Sequence, residues 1–368
     1  MKNAPIGVSM GSLGALRRGS DLTILLVYGV LALLLLFVLV VVDVFLQFTD
    51  FPGALILVVV LAFLFMLLQW AISPAIVRWA TRGRREVTPQ TNPWLWQTVQ
   101  ELAKQANVPP PRHIWISASP DPNAFVFGRT VGSAELVVTQ PLLEQLNQDE
   151  VRAVLAHEIG HLRHRDVTIM TWVSAVPLLA YVLARLGFDA IRYGGRGERD
   201  RNAGAAILAA IAVAILSYLV YLITQLLVLY LSRTRESYAD AYSGAATKDP
   251  HLLASALTKI TYGLSLSRPD AEPSGLRAFF IGDPVKARED YEDLRTHMQQ
   301  YDLNRDGQID QYELQKALDA EKKSHWRRAN ELFATHPPTI RRILMLEEME
   351  QEIHQAGGQL PGNIYKYV

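Results

Sequence analysis

Apolar residues along this chain fall in blocks rather than in an even spread. Leu22 to Leu46 is broken only by Thr23, Tyr28, Gly29 and Asp43, and Ala54 to Ile72 forms a second run of the same kind. A helix of about 20 such residues crosses a bilayer, so both runs are expected to be transmembrane helices. The first is too long for a cleavable signal segment and no small-residue cleavage site follows it, which makes it an uncleaved anchor. Lys2, Arg17 and Arg18 precede it, no lysine or arginine lies between the two runs, and Arg78, Arg82, Arg84 and Arg85 follow the second. Positive charge so placed marks both flanks as cytoplasmic. Two further runs, Val167 to Leu186 with Pro177 inside it and Ala203 to Leu231, are separated by "RYGGRGERDRN". Those arginines would face outside if both runs crossed, against the same rule. Their depth stays open, as a hairpin across the bilayer or as helices partly buried in protein, giving two to four transmembrane helices.

Between the second and third runs the pattern changes to that of a soluble domain. It predicts a helix over Pro93 to Gln105, then short strands at "HIWIS" (113–117), "AFVFG" (124–128) and "ELVV" (135–138), together a small sheet. Two helices follow. Thr139 and Pro141 open the first, and Asn147 with Glu150 three residues on makes a capping-box start for the second. After the fourth run come a helical region, a Pro/Gly-marked loop at "EPSGLRAFFIGDP", and a last helix after "THPP". No internal repeat and no low-complexity segment is present. The expected class is α+β, mainly helical.

Lysine plus arginine equals aspartate plus glutamate at 36 each, so charge points to no nucleic acid. There is no cysteine, which leaves nitrogen and oxygen as the only ligands for a metal. The capped helix supplies them: His157, Glu158 and His161 form H-E-x-x-H. Positions i and i+4 share a helix face, so both imidazoles can bind one zinc ion while Glu158 reaches the water on it as general base. A catalytic zinc of this kind needs a third protein ligand. Glu236 in "SRTRESYAD" is the candidate, with Asp240 one turn on placed to accept the free N–H of a ligand histidine. An exposed charged helix end is the ordinary alternative for that stretch, but an H-E-x-x-H helix lacks only this element. His164 is read as a solvated residue, not as a ligand.

The order "AVLAHEIGH", "SRTRESYADA", "FFIGDP" and "THPP", with two apolar runs before and two between the zinc motifs, resembles the HtpX-like membrane zinc metallopeptidases, relatives of the CaaX prenyl endopeptidases. The resemblance covers most of the chain. It implies a gluzincin-type fold, ATP-independent endopeptidase activity in the cytoplasmic membrane, and membrane protein quality control. It also implies that His157, His161 and Glu236 bind zinc and that Glu158 is the catalytic glutamate. Asn123, with Ala124 and Phe125, matches the family's N-A-F motif on a substrate-facing edge strand, although a plain turn residue before a strand reads the same way. His336 in "THPP" matches a histidine that stabilises the oxyanion, although His before two prolines is also a sensible helix start. Since Val167 follows His161 closely and Glu236 follows Leu231 closely, both motifs are expected within roughly 10 Å of an apolar helix end, at 1.5 Å per helical residue. Expected substrates are membrane-protein or unfolded polypeptides, cut near the cytoplasmic face.

"DLNRDGQIDQYEL" reads separately, as an EF-hand loop. Asp302, Asn304, Asp306, Gln308, Asp310 and Glu313 fall at positions 1, 3, 5, 7, 9 and 12, with Gly307 at the turn. Tyr291, Leu294, Met298 and Tyr301 give the entering helix an apolar stripe, as Leu314, Ala317 and Leu318 do for the exiting one. One bound Ca²⁺ is expected beside one catalytic Zn²⁺, and calcium is a candidate modulator of the "THPP" element. The expected organisation is a tail (1–21), two membrane helices (22–75), a metallopeptidase domain (76–284 and 331–355) holding the later apolar segments, a calcium-binding insertion (285–330) and a C-terminal tail (356–368). A lipid bilayer is an implied partner and a homo-oligomer is compatible with the chain. The rival is a catalytically silent calcium-sensing scaffold with a peptidase fold, disfavoured because every catalytic position is intact. A transporter is disfavoured because the apolar runs hold almost no charge.

Overall fold

The computed structural model describes residues 10–46, 51–81, 83–193, 203–266, 280–281, 286–301, 316 and 334–366. The candidate calcium ligands Asp302 to Glu313 lie outside the described residues. The chain divides into two compact units. One consists of residues 17–73 and 169–231, the other of 1–16, 74–168 and 232–368.

The first unit is built from apolar helices: α1 (Met10–Leu46), most of α2 (Phe51–Ala80) and of α6 (Asp166–Val173), α7 (Ala175–Tyr193), and α8 (Ala203–Thr247) as far as Leu231. Its interior is packed with Val27, Leu31, Met66, Val176 and Leu231, while Leu25, Leu33, Leu61 and Leu208 stay exposed on the outside. An apolar exterior around an apolar interior suits a lipid surrounding. Among the described residues, four helical stretches, Asp21–Val41, Ile56–Ala80, Asp166–Arg192 and Ala206–Thr247, are long and apolar enough to cross a membrane by length and composition. α7 and α8 approach so closely that a Cβ on Gly187 would stand 2.9 Å from the Ala214 Cβ, the small-residue contact that lets membrane helices pack without a hydrophobic driving force. The run beginning at Val167 is not one helix: it breaks at Ser174, between α6 and α7. Pro177, in the first turn of α7, cannot donate to the Val173 carbonyl four residues back, which fits the break just before it. The run ending at Leu231 differs in the other direction, since α8 continues to Thr247 and carries Glu236 and Asp240 within it.

The second unit holds a four-stranded sheet of β1 (Arg85–Glu86), β2 (His113–Ser117), β3 (Ala124–Phe127) and β4 (Glu135–Thr139) in the order β1-β2-β4-β3. β2 and β4 run parallel and the outer pairs antiparallel, which leaves β3 at an edge. The two-residue β1 carries no periodicity and was not expected from the sequence. Around the sheet lie α3 (Pro93–Ala106), α4 (Gln140–Gln145), α5 (Gln148–Arg163), α9 (Pro250–Ser265), α10 (Ala287–Tyr301) and α11 (Thr339–Gln355). The signals for α3 act as expected. Pro93 takes the first helical position, Asn92 accepts the Leu95 N–H at 3.1 Å, and the chain leaves the helix through Asn107 at φ 56°.

α5 is buried on nearly every face, from Val151 to Leu162. Its start is tied down twice. Asn147 and Glu150 exchange backbone-to-side-chain hydrogen bonds of 2.9 Å each, and the Glu150 carboxylate also accepts from Ser255 Oγ at 2.7 Å and Lys259 Nζ at 2.6 Å on α9. Farther along, a Cβ on Gly160 would meet Tyr242 Cδ1 at 3.1 Å and Ala239 Cα at 3.3 Å, so the absent side chain sets how closely α5 crosses α8. Burial opposes ionisation of Glu150, but Lys259, Ser255 and the Asn147 N–H outweigh it and hold its carboxyl below the usual value. A carboxyl depressed on folding adds stability above the unfolded-chain value and loses it as pH falls through the folded one. Glu150→Gln is therefore expected to cost about 1–2 kcal/mol at neutral pH. In unfolding curves on detergent-solubilised protein, the gap to the unsubstituted protein should close as pH drops below the ordinary carboxylate range.

Candidate active site

His157 and His161 stand one turn apart on α5, facing Glu236 of α8. Their Nε2 atoms are 3.1 Å apart, and Glu236 lies 3.6 Å from His157 Nε2 and 3.4 Å from His161 Nε2. The far side of each ring is occupied by a carboxylate: His157 Nδ1 is 2.9 Å from Asp240 Oδ1 and His161 Nδ1 is 2.8 Å from Asp166 Oδ2. With an aspartate behind each Nδ1, both Nε2 atoms and the Glu236 carboxylate converge on one point. Glu236 Oε2 is buried without a hydrogen-bond partner. Around tetrahedral zinc with bonds of about 2.0–2.1 Å, ligand atoms stand roughly 3.3–3.4 Å apart. The three separations bracket that value, and the two-imidazole, one-carboxylate donor set is one that zinc takes, so the residues fit the ion.

Each aspartate is held in turn by an arginine. Arg342 from α11 donates to both oxygens of Asp240, Nε and Nη2 each at 2.7 Å, and its Nη1 donates to the Ile281 carbonyl at 2.5 Å. Arg235 pairs with Asp166 and also donates to the His164 carbonyl at 2.6 Å. The two imidazoles respond differently. Burial lowers the pKa of His157 against the pull of Asp240, whereas at His161 burial is overcome by Asp166 and Glu236 and the pKa rises well above the ordinary value. A metal arriving here would displace a proton from His161. Burial, with Glu236 adding to it, pushes the Glu158 carboxyl up to about 8, while His161, the Val126 N–H and Arg342 restrain it. A carboxyl that exchanges its proton near neutral pH is suited to general-base work.

The sequence candidates assemble as follows. His157, Glu158, His161, Glu236, Asp240 and His336 come together. His336 is buried just before α11 with Nδ1 3.2 Å from Glu236 Oε2, and no hydrogen bond is made by either ring nitrogen. Ala124 and Phe125 are buried in the edge strand β3. Asn123 precedes that strand and is buried too, its Oδ1 accepting the Ile281 N–H at 3.0 Å. His164 is no ligand, but neither is it solvated. It is half-buried among Tyr238, Tyr242 and Tyr365, 2.8 Å from the Tyr365 hydroxyl, and burial pushes its pKa down to about 4. Asp166, Arg235 and Arg342 were not anticipated. A second cluster, His251 with Glu347 and Glu350 at 3.8 Å each, differs from the first in that its histidine is 60 % exposed.

The profile of Peptidase family M48 matches residues 89–350. A Protease HtpX homolog of Aeropyrum pernix is 32% identical over 306 residues, covering 82% of this chain and 88% of its own. Those of Methanothermobacter thermautotrophicus and Aquifex aeolicus are 41% identical over 205 residues and 32% over 245, covering 56% and 67% of this chain and 73% and 80% of theirs. Among solved structures, that of S. mikatae Ste24p matches with TM-score 0.45 at 18% identity, over 91% of this chain and 66% of that one.

The carboxylate behind His161 gives a direct test of the centre. Asp166→Asn, which keeps the shape and loses the charge, is expected to weaken zinc binding by about 10–100-fold. Competition with a chromogenic chelator on the solubilised protein measures this, and unchanged affinity would show that His161 is held without Asp166.

Proposed function

The chain belongs to peptidase family M48, and on that premise we propose that it cleaves misfolded or damaged membrane proteins near the cytoplasmic face, with His157, His161 and Glu236 as zinc ligands and Glu158 as general base. That it is a membrane-bound zinc metalloprotease follows from the family and the four apolar helices. The observation that carries the finer reading is the convergence of two imidazole Nε2 atoms and one carboxylate on a single point, with the buried Glu158 next to His157 in the chain.

Zinc bound at these residues would supply Lewis acidity, lowering the pKa of water and polarising the scissile carbonyl. Glu158 takes the proton of the water whose oxygen attacks the carbonyl carbon. It then delivers that proton to the amide nitrogen as the C–N bond breaks. His336 is placed to donate a hydrogen bond to the oxygen on which negative charge builds, because its ring nitrogens are otherwise unbonded. Asp240 and Asp166 keep both ligand imidazoles in the Nδ1–H form throughout. Ala124 and Phe125 lie on the edge strand, where an extended substrate can pair as an added strand.

The cytoplasmic face is supported by the basic residues that flank the first two apolar runs: Lys2, Arg17 and Arg18 before them and Arg78 to Arg85 after. Calcium modulation is supported by the ligand pattern from Asp302 to Glu313. It is also supported by the docking of α10, which ends at Tyr301 where the loop begins: Ala287 is buried in the core, and the ring of Tyr291 lies 5.1 Å from that of Tyr262 on α9. Calcium held by that loop would act on the chain leading to His336.

Glu158→Gln is expected to lower cleavage of an unfolded model protein by about 10²–10⁴-fold while zinc content stays the same. Full activity in that variant would rule out Glu158 as the base, and zinc binding without cleavage in the unsubstituted protein would favour the silent scaffold. For the loop, Glu313→Gln removes the bidentate ligand and should weaken calcium binding measured by calorimetry. Protease activity that is equal at low and high free calcium in the unsubstituted protein would leave the loop without a regulatory part.

A further inference from the structure

Asn123 stands where a substrate contact is expected, yet its side chain is turned inward. It is 2 % exposed, and its Oδ1 accepts the Ile281 N–H at 3.0 Å. On the other side of the same Cα, the Ile281 carbonyl accepts from Arg342 Nη1 at 2.5 Å. Asn123 thus fixes the peptide plane before Ile281 and Arg342 the plane after it. The same guanidinium forks onto Asp240 with two bonds of 2.7 Å, and Asp240 stands 2.9 Å from His157 Nδ1. Arg342 Nη2 is also 3.6 Å from Glu236 Oε2. Every member of this path, Asn123, Ile281, Arg342, Asp240 and His157, is buried.

We propose that Asn123 is a positioning residue for the metal ligand His157, acting through the Ile281 backbone, Arg342 and Asp240, rather than a hydrogen-bonding partner of the substrate. The inference rests on the reading that His157, His161 and Glu236 hold zinc. The physical reason is the cost of a poorly satisfied guanidinium in a dry interior. Arg342 has a rigid fork of five N–H donors, of which Asp240 takes two and the Ile281 carbonyl one. If Ile281 shifts, that donor is left unpaired and the fork re-aims, taking the Asp240 carboxylate and then the His157 ring with it. Asn123 prevents the shift by holding the Ile281 N–H. Its own backbone is fixed from the other side, its N–H donating to Thr139 Oγ1 at 2.8 Å and its carbonyl accepting the Thr139 N–H at 2.9 Å. A sheet residue next to the edge strand is in this way tied to a metal ligand on α5.

The test measures zinc affinity by chelator competition on the full-length solubilised protein, alongside KM and kcat for a peptide substrate. Asn123→Leu, similar in volume but without the acceptor, is expected to weaken zinc binding about tenfold or more, while Asn123→Asp, which keeps an oxygen in place, stays within a few-fold. Arg342→Lys cannot make the fork and should weaken zinc binding by itself. Combined with Asn123→Leu it should add less than the product of the two single effects, because both act on one path. A raised KM with unchanged zinc affinity in Asn123→Leu would overturn the proposal and return Asn123 to substrate contact. Should the leucine variant fail to fold, Asn123→Ala, which also removes the acceptor, decides in its place, and a zinc affinity equal to that of the unsubstituted protein overturns the proposal. Absence of zinc binding in the unsubstituted protein would instead remove the reading on which the inference rests.

Discussion

Two buried aspartate–arginine pairs govern the architecture of the catalytic unit. Asp240 with Arg342 and Asp166 with Arg235 are almost completely withdrawn from solvent. Breaking such a pair by removing one partner costs about 3–5 kcal/mol, because a charge is left without its counter-charge in a medium of low polarity. The geometry that satisfies both pairs also satisfies the imidazoles behind which they sit. α5, α8 and α11 must therefore meet at one set of angles, and the candidate donor set for a metal is what that meeting produces.

Helix α8 serves two chemistries in one element. As far as Leu231 its side chains are apolar and pack among the other long helices, and from Ser232 it carries Arg235, Glu236 and Asp240 into the catalytic unit. Glu236 and Asp240 are four residues apart, so one face of the helix presents both the carboxylate that would bind metal and the one that orients His157. The counterpart on α5 has the same spacing, His157 and His161. The two rows can approach because Gly160 offers no side chain at the crossing and Ala239 offers only a methyl.

Local signals were legible in the sequence wherever the cause is local. The capping box at Asn147 and Glu150, the strands β2, β3 and β4 and the H-E-x-x-H spacing each depend on residues close in the chain, and each is where the pattern put it. Arg235 and Arg342 were not legible, because their partners lie 69 and 102 residues away in the chain and a lone arginine on a helix reads as solvated. Asp166 was passed over for the same reason, as one charged residue among "RHRD". His164 misled in the opposite sense: its charged neighbours suggested water, while three tyrosines from α8 and the C-terminal segment enclose it.

The centre also shows how two glutamates acquire different duties from their surroundings. Glu158 lies beside the donor set in a dry pocket, with the Glu236 charge close by, and both influences favour its protonated form until the pH nears 8. Glu236 faces His157, His161 and His336, with Arg342 Nη2 at 3.6 Å. A carboxylate ringed by cationic and proton-donating groups suits a permanently ionised ligand, whereas a carboxyl that is reluctant to ionise suits a group that must take and return a proton. Environments that push paired carboxyls apart in this way assign acid–base roles without reference to sequence position. Here the proposed assignment agrees with the spacing: the glutamate inside the histidine motif would move protons, and the one on the separate helix would complete the donor set.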